Sequence, residues 1–288
     1  MQIDLSQDSS NVSSRDISNG LEVNPIICFA QSGDAPQDFI YVVQNHISSL
    51  DVKVDTDAQL NCDCSYGCSS TKQCRCARFS GINWYNKDKL DRYSDLQGEF
   101  EGVMLFECND KCNCRLRGCD NRLVQKGLQY PLAVFQTGKK GWGLKTLRPI
   151  QAGTFVCEYL GEILLEDEAD LRNDDSFMFS LGAIPGKPEY CIDSKKYGNV
   201  ARFINHSCQP NLFALRVFID QRDLSFPKVA FFASKDIQAG EELSMDYGDK
   251  FWEVKIKDFE CCCDSSDCRY RTASNTHSVN EKDIIILN

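Results

Sequence analysis

The stretch Arg202–Asn211, RFINHSCQPN, sets an Asn-His pair two residues ahead of Cys208, with Pro210 close behind. A cysteine in that position has three readings: a nucleophile, a metal ligand, or a small buried residue. The segment is irregular and cannot choose among them alone, so the choice rests on the cysteines around it.

There are 17 cysteines in 288 residues. No apolar run approaches the roughly 18 residues of a membrane span. The opening MQIDLSQDSSNVSSRDISNG has neither the basic start nor the apolar core of a signal peptide. Its Ser, Asp and Asn content reads as disorder over residues 1–25, and the tail after Arg271 reads the same way. Without a secretory signal the compartment reads as reducing, which disfavours disulfides and favours metal thiolates. At 42% hydrophobic the chain can bury a core. Its formal charge of −10 favours basic partners over DNA phosphates, although plain solubility is the simpler reading of that charge.

Two blocks lie about thirty residues apart. CDCSYGCSSTKQCRC holds Cys62, Cys64, Cys68, Cys74 and Cys76; CNDKCNCRLRGC holds Cys108, Cys112, Cys114 and Cys119. Nine cysteines do not divide into separate four-cysteine sites. Three zinc ions need twelve coordination positions. Six terminal thiolates plus three bridging thiolates counted twice supply twelve, so nine cysteines fit a three-zinc cluster with none left over. An odd count argues against a disulfide framework. The third block, CCCDSSDC, offers Cys261, Cys263 and Cys268 as C-x-C-x₄-C, three ligands in need of a fourth. Of the remaining cysteines, Cys157 and Cys191 sit in apolar runs and read as core, Cys28 lies in the N-terminal flank, and Cys208 is a plausible ligand.

The order of motifs is a nine-cysteine block, GWG, RFINHSCQPN, EELSMDYG and C-x-C-x₄-C. It resembles that of SET-domain histone-lysine methyltransferases carrying pre-SET and post-SET zinc modules, and is most similar to the euchromatic histone H3 lysine 9 enzymes. The resemblance runs from about residue 61 to 271. It implies a mostly β fold of small curled sheets with a C-terminal pseudoknot, an exception to the rule against threaded chains. It implies an N-terminal flank at 26–60, a Zn₃Cys₉ pre-SET module at 61–127, a SET catalytic domain at 130–248, a ZnCys₄ post-SET module at 257–273 and a tail at 274–288. It also implies that Cys208 is the fourth post-SET ligand, so that the metal pins the C-terminal segment against the cofactor site. Four Zn²⁺ follow, and with clusters of −3 and −2 the charge of −10 becomes −15.

PLAVFQT, TFVCEYLGEIL, LFALRVFID and KVAFFAS have the aromatic and β-branched content of strands, with RDLSFP as a hairpin loop; LEDEADLRN is the one clear helix candidate. DFIYVVQNHIS in the flank reads as a strand or a helix packed on the catalytic core.

The implied chemistry is displacement of a methyl group from S-adenosylmethionine by a neutral lysine amine. Deprotonating a free lysine near neutral pH costs about 4 kcal/mol, and no carboxylate base is apparent. A narrow aromatic channel and the sulfonium charge would lower that cost. By match to the family, Tyr159, Phe179, Tyr247 and Phe251 line the channel. Tyr247 is the first choice for the catalytic hydroxyl and Tyr159 the second. Lys140, Gly141, Trp142, Phe177, Asn205, His206 and Phe251 are expected at the cofactor. Asp170 and Asp175, within an acidic segment whose other members read as a solvated face, are expected to face the substrate peptide. Three positions depart from the close relatives: Phe177 replaces a Tyr, Ser180 an Asp, and Met245 a Phe or Tyr that governs how many methyls fit. The resemblance thus implies methylation of lysine 9 on the histone H3 tail, at least to dimethyl-lysine. It further implies a nuclear, chromatin-associated role with no direct DNA binding by this domain and no membrane association. A catalytically weak SET module serving as a histone-tail platform, or an enzyme for a non-histone lysine, are the alternatives.

Overall fold

Short runs of Val, Ile, Phe and Tyr bounded by turns can bury only one or two side chains each, so they must pair widely to build a core. The computed structural model describes residues 13–30, 36, 38–54, 61–65, 67–68, 74–81, 84–86, 88–91, 102–114, 118–219, 223–257 and 260–271. Among these, the chain is mostly β, in small sheets.

One four-stranded sheet has the order Met104–Phe106, Leu212–Phe218, Lys228–Ala233, Phe155–Tyr159. Leu212–Phe218 and Lys228–Ala233 form the expected antiparallel hairpin, with Leu212 opposite Ala233. Phe231 and Phe232 on its second strand are fully buried; burying each contributes about 1.5–3 kcal/mol. A second four-stranded sheet has the order Ser13–Asp16, Ile27–Ala30, Leu132–Gln136, Trp142–Thr146. A three-stranded sheet joins Glu162–Leu165, Tyr190–Asp193 and Met178–Ser180. The crossing expected of the pseudoknot lies where Asn205–His206 pairs in parallel with Ser244–Met245, across the intervening hairpin.

The structure corrects two sequence readings. Residues 13–25 are not disordered: Ser13–Asp16 pairs with Ile27–Ala30. Composition hid this because one carboxylate organises the turn. Asp16 accepts the Ser18, Gly20 and Ile26 amides at 2.9 Å each, while Ile17 and Ile26 are buried. Residues 1–12 and 272–288, most of the expected disorder, lie outside the described residues. The helix expected in LEDEADLRN is only Glu166–Ala169, and two helices went unread, Arg75–Phe79 and Asp249–Lys255. The segment between the two cysteine blocks shows no period in sequence, yet its described parts dock on the first four-stranded sheet. Tyr85 and Leu90 are buried, the Leu90 amide donates to Gly153 O at 2.7 Å, and Met104–Phe106 pairs with Leu212–Phe218. The flank run around Ile40 forms only the two-residue strand Ile40–Tyr41, paired in parallel with Tyr197–Gly198. No helix among the described residues is long and apolar enough to cross a membrane.

The acidic segment is anchored from behind. Arg172 pairs with Asp193 at 2.5 Å and with Glu162 at 2.7 Å, and Ser48 from the flank donates to Glu162. Gly161 lets these strands close, since a Cβ there would lie 2.4 Å from Asp193 O. Gly161→Ala should therefore destabilise the domain by about 1–3 kcal/mol, read as a lower melting temperature. An unchanged melting temperature would mean that the strands separate without cost.

Candidate active site and cysteine clusters

The Asn-His pair and the EELSMDYG segment hold each other in place. The Ser207 amide donates to Met245 O at 2.9 Å, and the Tyr247 amide to His206 Nδ1 at 3.2 Å. Burial holds the His206 imidazole down at about 4, so it is neutral at neutral pH. Because Nδ1 accepts, Nε2 carries the proton, and it faces Cys208 Sγ at 3.3 Å. His206 also packs against Tyr247, Trp252 and Tyr270, and the last two stack with centroids 4.8 Å apart.

Asn205 donates through Nδ2 to Trp142 O at 3.1 Å and to Glu242 Oε1 at 2.9 Å. The Lys140 ammonium lies 2.7 and 2.8 Å from the two Glu242 oxygens, so its charge is already engaged. Gly141 takes φ +68°, and a Cβ there would meet nothing within 4 Å. That left-handed turn leaves an open approach beside Trp142.

Tyr159 and Phe179 meet at 5.4 Å, each also near Phe231, and Tyr247 meets Phe251 edge-on at 4.8 Å. Tyr159 OH donates to Phe177 O at 2.6 Å, and Tyr247 OH to Ile204 O at 2.9 Å. Burial raises both phenols, and Tyr247 raises Tyr159 further. Each hydroxyl donates its one hydrogen bond to a carbonyl, so what it presents elsewhere is a neutral acceptor oxygen. Met245 is half-buried against the main core. Arg202, which the sequence reading passed over, lays its guanidinium over Phe39 and Phe177, both at 4.4 Å. Asp170 is exposed; Asp175 is exposed and paired with Lys255 from the last helix.

The cysteines gather as the spacing implied. Three groups of sulfurs, each with its members within 4.8 Å, are Cys62, Cys68, Cys74, Cys108; Cys62, Cys76, Cys108, Cys112; and Cys68, Cys108, Cys114, Cys119. Cys64 packs against the same cluster. A fourth group joins Cys208 to Cys261, Cys263 and Cys268, and leaves Cys262 out. Four sulfurs at such range, with no other donor type among them, fit tetrahedral zinc.

The SET domain family pattern matches residues 141–248 and the Pre-SET motif residues 18–122. The methyltransferase domain of human Histone-lysine N-methyltransferase SETMAR superposes with a TM-score of 0.69 at 31% identity, covering 91% of this chain and 98% of that one. The chain belongs to the SET-domain histone-lysine methyltransferase family. Within it, Histone-lysine N-methyltransferase EHMT1 of Mus musculus is 45% identical over 267 residues, which are 91% of this SET-domain chain. The chain spans only 20% of that relative's length. KRYPTONITE, solved with mCHH DNA, an H3(1-15) peptide and SAH, superposes with a TM-score of 0.75 at 33% identity, covering 93% of this chain and 55% of that one. The SET fold and the pre-SET and post-SET cysteine groupings read from the sequence are present in the structure.

Glu242 and Asn211 lie within the quoted EELSMDYG and RFINHSCQPN stretches, but residue type alone gave neither a role. Glu242 is the second of two consecutive acids and bridges antiparallel to Lys145, and Asn211 stands just before a strand; only their partners from distant segments reveal their roles.

Proposed function

We propose that this domain transfers methyl groups from S-adenosylmethionine to lysine 9 of the histone H3 tail, within nuclear chromatin. The carrying observation is the pair of buried tyrosines whose hydroxyl protons are both spent on backbone carbonyls. When bound, S-adenosylmethionine supplies an electrophilic methyl on a sulfonium. The Tyr247 and Tyr159 oxygens then accept from the amine N–H and orient its lone pair. Phe179 and Phe251 exclude water and favour the neutral amine. Trp142, Asn205 and His206, with the backbone of Lys140 and Gly141 and the ring of Phe177, hold the cofactor. Asp170 and Asp175 receive the basic peptide, and the family's histone-lysine enzymes support that substrate. The chain's own charge of −10 supports a basic protein tail over direct DNA binding by this domain. Tyr247→Phe should leave fold and cofactor affinity nearly intact and cut turnover on an H3 peptide by roughly 10²–10⁴-fold. A variant keeping most of the wild-type rate would remove Tyr247 from the catalytic role.

We further propose four zinc ions. Cys62, Cys68 and Cys108 recur among the sulfur groups and are the bridging set. Cys64, Cys74, Cys76, Cys112, Cys114 and Cys119 are then terminal, which completes Zn₃Cys₉. The fourth ion takes Cys208, Cys261, Cys263 and Cys268, where it orders the C-terminal wall of the site. Elemental analysis of folded protein should find four zincs per chain. Cys208→Ser should retain about three and lose activity; two or fewer in the wild type would defeat the assignment.

Methylation should reach at least the dimethyl state. Met245 has no hydroxyl with which to fix the amine or a water, and its thioether can move aside. Met245→Tyr should shift the product towards monomethyl-lysine. Mass spectrometry of a peptide time course with excess enzyme and cofactor decides this: monomethyl product alone from the wild type would refute it.

A further inference from the structure

Glu242 is half-buried, and three groups from distant parts of the chain meet on it. Lys140 approaches both its oxygens at 2.7 and 2.8 Å, and Asn205 Nδ2 donates to Oε1 at 2.9 Å. Its backbone carbonyl accepts from Asn211 Nδ2 at 2.8 Å, and Asn211 Oδ1 in turn accepts the Ser244 amide at 2.9 Å. The following residue is tied in as well, with the Leu243 amide donating to Leu144 O at 2.7 Å. An exposed ion pair would contribute little. This one is bidentate, with both side chains about three-quarters covered, and it is shared with an amide.

The shared amide gives the arrangement a chemical consequence. Both partners of Asn205 Nδ2 are pure acceptors, a carbonyl and a carboxylate. The amide therefore has one orientation only, and the group left for a ligand is the acceptor Oδ1. Without the carboxylate, half of that constraint is lost and the amide can turn its nitrogen outward. A donor then stands where an acceptor stood, which a ligand ammonium would oppose.

We propose that Glu242 is a positioning residue for the cofactor: it fixes the Asn205 amide so that its oxygen is offered to the amino-acid end of the ligand, and it ties the 140–143 turn to the Asn-His pair. The proposal rests on the reading that this site takes S-adenosylmethionine. Because only the amino-acid end is concerned, methylthioadenosine, which lacks it, separates positioning from general disruption.

The test is calorimetric titration of the zinc-loaded domain, without peptide, with S-adenosylmethionine and with methylthioadenosine. Glu242→Ala should weaken S-adenosylmethionine about 10- to 100-fold, with methylthioadenosine changed by less than about twofold. Glu242→Gln keeps an acceptor for Asn205 but strands the Lys140 charge, and should fall between wild type and Ala. Adding Lys140→Met to Glu242→Gln should recover part of that loss. Equal weakening of both ligands, or no weakening of either, overturns the inference while leaving the proposed function standing. A wild-type domain that binds no S-adenosylmethionine overturns both. Should Glu242→Ala fail to fold, the Gln variant and its pairing with Lys140→Met carry the same comparison, and absence of partial recovery counts against the proposal.

Discussion

Two segments, 205–211 and 241–247, hold each other by parallel backbone pairing, and the rest of the site hangs from that crossing. The pairing of Asn205 with Ser244 and His206 with Met245 sets where the imidazole, the amide and the thioether point. Tyr247 then follows, its amide on His206 and its hydroxyl on Ile204. Neither segment has an apolar stripe of its own. Each is placed by the hairpin that separates them in sequence, whose second strand carries the fully buried Phe231 and Phe232. The core thus supplies rigidity, and the crossing turns that rigidity into position.

The pre-SET half solves a different problem, folding without enough apolar side chains. Its core is sulfur, with Cys62, Cys68, Cys74, Cys76 and Cys108 all essentially inaccessible. Packed thiolates carry charge that must be offset. Arg122, 3% exposed, lies among them. Burial opposes its charge, but contact with Cys114 and the nearby Cys119 and Cys108 outweighs that and pushes its pKa up. The amides of Cys62, Ala77 and Asn109 add neutral donors to sulfur at 3.3–3.4 Å. The Glu107 carboxylate, fully buried, accepts the Leu123 and Val124 amides at 2.8 and 2.7 Å and so fixes the turn that presents Arg122.

What was legible in the sequence was what depends on residue type and count. The catalytic strands announced themselves by Val, Ile and Phe content, and the nine cysteines by arithmetic. The elements that went unread are those decided by distant contacts. Asp249–Lys255 buries only Trp252, so no helical period could show. The Ser13–Asp16 strand lies in a run of polar residues held by one aspartate and two isoleucines. Lys140 was read as a cofactor residue from its motif; that its ammonium belongs to Glu242, about a hundred residues later, is a fact of tertiary structure alone. The cysteine groupings could be listed from spacing, but which sulfurs are shared needed coordinates.

The crossing also governs when the site comes into being. Chains emerge from the ribosome from the N-terminus, and early elements fold first. Here the curled sheets are complete by Ala233, yet Asn205 and His206 have no partner strand until Ser244 and Met245 emerge. Cys208 gains its three sulfur neighbours only once Cys268 is out. A nascent chain released between those points would have a folded core and an unfinished site. Assembly of the candidate site therefore follows that of the core, and it waits on the emergence of residues 244–268.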